Sequence, residues 1–181
     1  MADRVVSDMK DLDYSKAYRL FYPAVPVVVA SSYGGTVSAM AVVTAVSVSN
    51  VPPRVGFASL QTHSTYRTML SSRSFSMSWL DRSLAREVEL LGSKRGKGVT
   101  DKLRSAGLKH GKGRVLEVPV IDAAVATLEC SVVNVAALGD HDFVVGEVKA
   151  AYAQPDFSGY WQFKRYRPIL YVGSPDRLRM Y

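Results

Sequence analysis

Along the chain, apolar residues come in short runs with the two-residue period of strands, interrupted by only two or three segments of helical spacing. Behind Pro23 an apolar run, Val25-Pro-Val-Val-Val-Ala30, reaches Tyr33-Gly34-Gly35. Gly-Gly between two strand-like runs predicts a tight hairpin, because a primed turn needs positive φ at both central residues. The returning strand, Val37 to Val48, is rich in Ala, Val, Ser and Thr and stops at Asn50-Val51-Pro52-Pro53. Its small side chains would let another group approach the backbone. Arg54 to Leu60 reads as a third strand, and Phe75-Ser-Met-Ser-Trp79 as a fourth that alternates large apolar residues with serine. From Ala123 the pattern returns. Ala126, Leu128, Cys130 and Val132 alternate with Thr127, Glu129 and Ser131, the turn Leu138-Gly-Asp-His141 leads into Phe143 to Ala150, and Pro168 to Val172 forms a last strand.

The helical segments are short. One spans Ser15 to Phe21, a second follows Ser64-Thr65 with Ser64 as its N-cap, and a third runs from Leu84 to Leu91 behind Ser83. Gly92 to Gly113 is polar and basic, with one helical turn around Asp101 to Ala106. About seven strands with a few short helices predict a mainly β, barrel-like domain with helical excursions, not a βαβ array. No repeat or low-complexity linker divides residues 1–181, so a single domain is expected. Neither a Rossmann glycine fingerprint nor a Walker loop is present.

Composition narrows the class. With 48% hydrophobic and 22% charged residues and a mean hydropathy of +0.02, the chain matches neither a disordered tail nor a membrane protein. Val25–Ala30 and Ala39–Val46, the longest apolar stretches, are too short to span a bilayer. Met1 to Lys10 has no apolar secretory segment, so a cytoplasmic location is expected. Cys130, the only cysteine, excludes an internal disulfide and a cysteine-cluster metal site, and its apolar neighbours suggest an inert buried position over a reactive thiol. His63, His110 and His141 are scattered without ligand-spaced carboxylates, which argues against a zinc enzyme.

The net charge of +7 and pI near 9.6 leave room for an anionic partner. The excess sits in Lys94-Arg95-Gly96-Lys97, Lys109 to Arg114 and Lys164-Arg165-Tyr166-Arg167. Such runs are either solvated surface or an attraction for a dinucleotide or a flavin phosphate. A nucleic-acid-binding barrel would interleave aromatic and basic residues on one sheet face. Phe57, Phe75, Trp79, Phe143 and Trp161 are dispersed instead, so nucleic acid is not expected.

Gly35-Thr-Val-Ser-Ala-Met-Ala41, then Val-Ser-Asn-Val-Pro-Pro53, a strand, and His63-Ser-Thr65 opening a helix resemble the flavin reductase-like family. Leu128-Glu-Cys130, Gly139-Asp-His141 and Gly146-Glu-Val148 extend the match, which covers about Tyr22 to Val172. The resemblance implies an FMN-binding split β-barrel, acting as a homodimer with flavin near the subunit interface. It places the ring against Ser38, Ala39, Met40, Ala41, Val42, Val43 and Thr44, whose backbone groups would meet its pyrimidine edge and N5. The family pattern commonly has Asn and Thr where this chain has Ser38 and Ala41, so there the backbone carries the role.

For the phosphate, the resemblance points to Ser64 and Thr65 at a helix N-terminus, preceded by Ser59, Thr62 and His63. Ser64 could equally be a cap. Lys102 falls where relatives carry Asp-Lys and pairs with either a phosphate or a surface carboxylate. His141 either positions nicotinamide and handles a proton or is a turn residue.

The implied activity is an NAD(P)H-dependent oxidoreductase that passes electrons through FMN to free flavin, ferric iron or a partner oxygenase. The alternative is an FMN-bound electron carrier reduced by another protein. NADH and NADPH are not distinguished.

Overall fold

The computed structural model describes residues 9–92, 98–155 and 157–173; the reading of Met1 to Asp8 and the basic Lys94 to Lys97 run lie outside them. Gly34 and Gly35 take φ of +55° and +78°, as the hairpin requires, and join β1 (Val27–Tyr33) to β2 (Thr36–Val42). The expected single strand from Val37 to Val48 is two strands. β2 ends at Val42, and β3 (Val46–Asn50) begins after three residues.

Sheet order explains the break. Seven antiparallel strands run β2-β1-β5-β8-β9-β4-β3, with β4 (Pro53–Ser59), β5 (Ser74–Trp79), β8 (Ala126–Leu138) and β9 (His141–Ala153). β2 and β3 are thus the two opposite edges, yet residues 43–45 alone connect them. The sheet must curl to bring these edges near one another across a seam, as in a split barrel, with no ladder closing it. At that seam Thr44 replaces a ladder: its Oγ1 accepts from the Ala58 amide (2.9 Å) and donates to the Ala58 carbonyl (3.3 Å).

β1 is buried on both faces, which is why it reads as a continuous apolar run. Val27 and Val29 pack with Met40, Phe57, Met69, Phe75, Met77 and Val144, while Val28 and Ala30 pack on the opposite face with Leu80, Val88, Leu91 and Leu103. Cys130 lies in the first cluster, where burial pushes its thiol up to about 12 and leaves it inert. Gly146 lets the Phe75 ring lie against the β9 backbone; a Cβ there would come within 2.4 Å of that ring.

The helices are α1 (Ser64–Ser72), α2 (Ala85–Gly92) and α3 (Lys102–Ser105), with a 3-10 helix over Tyr14–Phe21. Ser64 is the first helical residue and not a cap: His63 takes the cap position and makes no side-chain bond there. Nor does Ser83 cap the second helix. Asp81 accepts from the Ser83 amide and starts a 3-10 turn, Arg82–Leu84, that runs into α2; a carboxylate is the stronger acceptor at a helix start. Pro168 to Val172 is no strand. It joins the sheet by no ladder, since β2 and β5 already flank β1; isolated bridges Asp81↔Pro168 and Ala24↔Tyr171, the buried Ile169 in the second core cluster and the Tyr22–Tyr171 ring contact hold it instead.

The polar excursion holds an unexpected second sheet, β6 (His110–Lys112) paired with β7 (Pro119–Ile121). Its connecting loop is fastened by Glu129, which is 0% exposed and accepts from the amides of Arg114, Val115 and Leu116 and from the Tyr152 hydroxyl at 2.6–3.0 Å. The Arg114 guanidinium stacks 4.0 Å over the Tyr152 ring, so one member of the Lys109 to Arg114 run is structural. No described helix is long and apolar enough to cross a membrane.

Candidate functional site

Four chain segments meet beside the seam: the outer edge of β2, the loop leaving β4, the N-terminus of α1 that follows it, and the start of β9. Hydroxyls join the first to the third. Ser38, 3% exposed on β2, donates to Ser64 Oγ (3.1 Å) and lies 3.1 Å from Thr65 Oγ1. With the Ser38 proton committed to Ser64, Thr65 donates to Ser38, and the Ser64 proton is left at the open end of the chain. Thr65 is 1% exposed, whereas Ser64 faces solvent. Because no side chain caps α1, its first amides and positive end are also available, which together make an anion-attracting corner.

Ser59, at the end of β4, lies 3.7 Å from Met40 Sδ and 3.4 Å from His63 Nδ1, and donates to the Leu60 carbonyl. Burial lowers the His63 pKa, and the nearby Lys102 and His141 add to the shift, so all three basic groups converge here. Thr62 offers its carbonyl, not its hydroxyl, to a described partner: Arg67 Nη1 donates to it at 3.0 Å.

Lys102 makes no ion pair with a carboxylate among the described residues. Its Nζ donates to the Leu91 carbonyl (2.9 Å) near the end of α2, where the helix leaves carbonyls unpaired, and burial lowers its pKa. His141 lies just past the Gly139-Asp140 turn and opens β9, paired with Leu138, with Nδ1 2.8 Å from Asp140 Oδ1.

β2 supplies backbone. On its outer side Val37 N–H donates to the Thr100 carbonyl (2.8 Å), and strand alternation turns the Ala39 and Ala41 amides to that same side, where no strand follows. The half-buried Val43 and the Thr44 backbone continue this edge across the seam, while the Thr44 hydroxyl is spent on Ala58.

Three residues not singled out in the sequence complete the corner. Asp142, 5% exposed, accepts from the Tyr66 hydroxyl and from Gln61 Nε2 (2.9 Å). These bonds hold its carboxyl below the usual aspartate range, and burial together with Asp142 pushes Tyr66 up to about 12. The only sequence signal was an aspartate directly after the Gly-Asp-His turn. Chemically the corner can bind an anion on hydroxyls and amides, and can lay a flat, hydrogen-bonding ring along an unpaired strand edge.

Comparison with known proteins agrees with this geometry. The family model described as the flavin reductase like domain matches residues 18–170. An uncharacterised protein of Aeropyrum pernix is 34% identical over 170 residues, covering 93% of this chain; the chain spans 65% of that relative's length. One from Pyrococcus abyssi is 31% identical over 145 residues, covering 80% of this chain and 83% of its own. Among solved structures, an FMN-binding protein from Thermus thermophilus with bound p-hydroxybenzaldehyde superposes with a TM-score of 0.76 at 26% identity, covering 96% of this chain and 92% of that one.

Proposed function

The chain belongs to the flavin reductase-like family, and on that footing we propose that it is an FMN-binding oxidoreductase that takes its electrons from NADH or NADPH. The observation that carries the reading is the hydroxyl chain Thr65–Ser38–Ser64 ending at the uncapped start of α1, beside the unpaired edge of β2. That donor set suits a phosphate followed by a planar ring with amide-hungry edges. Ser64 and the first α1 amides take the phosphate, with Thr65 acting through Ser38 and with Ser59, Thr62 and His63 shaping the approach. The backbone from Ala39 to Thr44 meets the ring. Lys102 adds positive potential from behind the site. Bound FMN supplies the two-electron chemistry, and the chain supplies orientation and electrostatics. His141, half-buried at the start of β9, steers the nicotinamide and handles a proton in this reading. Free flavin, ferric iron or a partner oxygenase is the acceptor.

Adding NADH or NADPH without air to the FMN-loaded protein should bleach its visible absorbance, and His141→Ala should slow the bleaching while leaving FMN affinity nearly unchanged. A protein that binds FMN tightly yet stays oxidised under excess of both donors would be a carrier served by another reductase.

A second copy completes the molecule. Val46, Val48 and Val51 are exposed on and beside the edge strand β3, and Val133 and Leu138 on β8, an apolar surface that a homodimer covers. Light scattering should give about twice the 19.8 kDa chain mass. A flavin-loaded particle of single-chain mass at micromolar concentration counts against the dimer.

A further inference from the structure

A buried carboxylate with no basic partner is costly unless its hydrogen bonds accomplish something specific. Asp142 is such a group: nearly inaccessible at the start of β9, it is held by two neutral donors and makes no ion pair with a described residue. The positions of those donors are informative. Gln61 lies just before, and Tyr66 just after, the segment Thr62-His63-Ser64-Thr65, so one carboxylate grips both ends of the segment assigned to the phosphate. Its other attachment is the sheet: Asp142 pairs with Ser59 of β4 and with Ala137 of β8, and the next residue back is His141.

The geometry points to Asp142 as a positioning residue, a clasp that fixes the phosphate loop at both ends and ties it to the strand bearing His141. The clasp needs a carboxylate, because both bonds are accepted by it. Asparagine keeps the shape but presents an NH₂ to one of two donors, so one grip is lost. The assignment of the loop to a phosphate rests on the FMN reading; the clasp itself does not.

The test therefore has two arms, applied to Asp142→Asn and to Gln61→Ala, which removes one grip from an exposed loop position and leaves the core intact. The first arm follows amide hydrogen exchange in flavin-free protein at His63 and Arg67, whose N–H groups bond to the Leu60 and His63 carbonyls. Both variants should speed exchange there about tenfold, with distant β5 and β8 amides unchanged. The second arm compares FMN with riboflavin. FMN should bind about tenfold more weakly and riboflavin within about twofold of wild type. Unchanged exchange at His63 and Arg67 overturns the clasp. Equal losses for FMN and riboflavin overturn its phosphate role. If the wild-type protein binds no flavin, the functional reading fails while the exchange arm still decides the clasp.

Discussion

Glu129→Ala is expected to cost about 3–5 kcal/mol, because one truncation strips the acceptor from three backbone amides and a tyrosine hydroxyl at once. Against a total stability of about 5–15 kcal/mol, that is a large share. The loss should spread beyond the side chain. Without the carboxylate, the 114–116 amides lose their tie to the sheet, leaving the β6–β7 connection held there by Ser32 donating to the Glu117 carbonyl and Ser76 to the Pro119 carbonyl, and the Tyr152–Arg114 stack loses its anchor. Glu129→Gln should be intermediate, since an amide nitrogen replaces one of the two accepting oxygens. Denaturant midpoints for the three proteins test this order; a near-wild-type midpoint for the alanine variant refutes it.

Acid should mimic the glutamine variant. Burial raises the Glu129 pKa, but the amide bonds from Leu116, Val115 and Arg114 and the Tyr152 hydroxyl outweigh it, so the net shift is downward from 4.5. A carboxylate whose folded pKa is depressed stabilises the fold fully above its unfolded pKa. That stabilisation is lost as pH falls through the folded value. Wild type should therefore weaken below about pH 4.3, and Glu129→Gln should show less of that acid sensitivity.

Ser64→Ala should weaken FMN binding by about 1.5–3 kcal/mol, roughly 10- to 150-fold in Kd, because a hydrogen bond to a charged phosphate disappears from an exposed position. Thr65→Val should have a smaller effect in the same direction. Its hydroxyl is buried and reaches the ligand only by polarising Ser38 and, through it, Ser64. Riboflavin, which lacks the phosphate, is the control and should change little in either variant. If both flavins weaken equally, these hydroxyls support the fold and not a phosphate.

The parts of this molecule that follow from local pattern were legible in the sequence. Gly34-Gly35 specified the first hairpin, alternation marked β5 and β8, the flanking turns delimited β4 and β9, and the resemblance selected Ser38, Ser64 and Thr65, which the fold does bring together. What escaped is non-local. Nothing in the small residues from Val37 to Val48 announces a break, because the break exists only where the chain steps between opposite edges of the sheet. Lys102 was read against carboxylates and phosphates, yet its partner is a main-chain carbonyl, invisible in a list of side chains. Asp142 and its donors are 81 and 76 positions apart, a pairing that no periodicity records.

That same separation bears on how the protein comes to exist. The hairpins β1–β2 and β8–β9 close over short stretches of chain, but β4 must find β9 across about half of it, as the pair Ser59↔Asp142 shows, and only then do the two edges come together. Pairings of such high contact order come late, since the entropy of closing long loops must be met before they form. The anion-binding corner draws on β2, the loop after β4 and the start of β9, so a chain arrested with its hairpins made and its long-range pairing missing has no site at all. On the flavin reading, competence to hold the cofactor then arrives together with that last pairing, and loading becomes a molecular signature of completed folding.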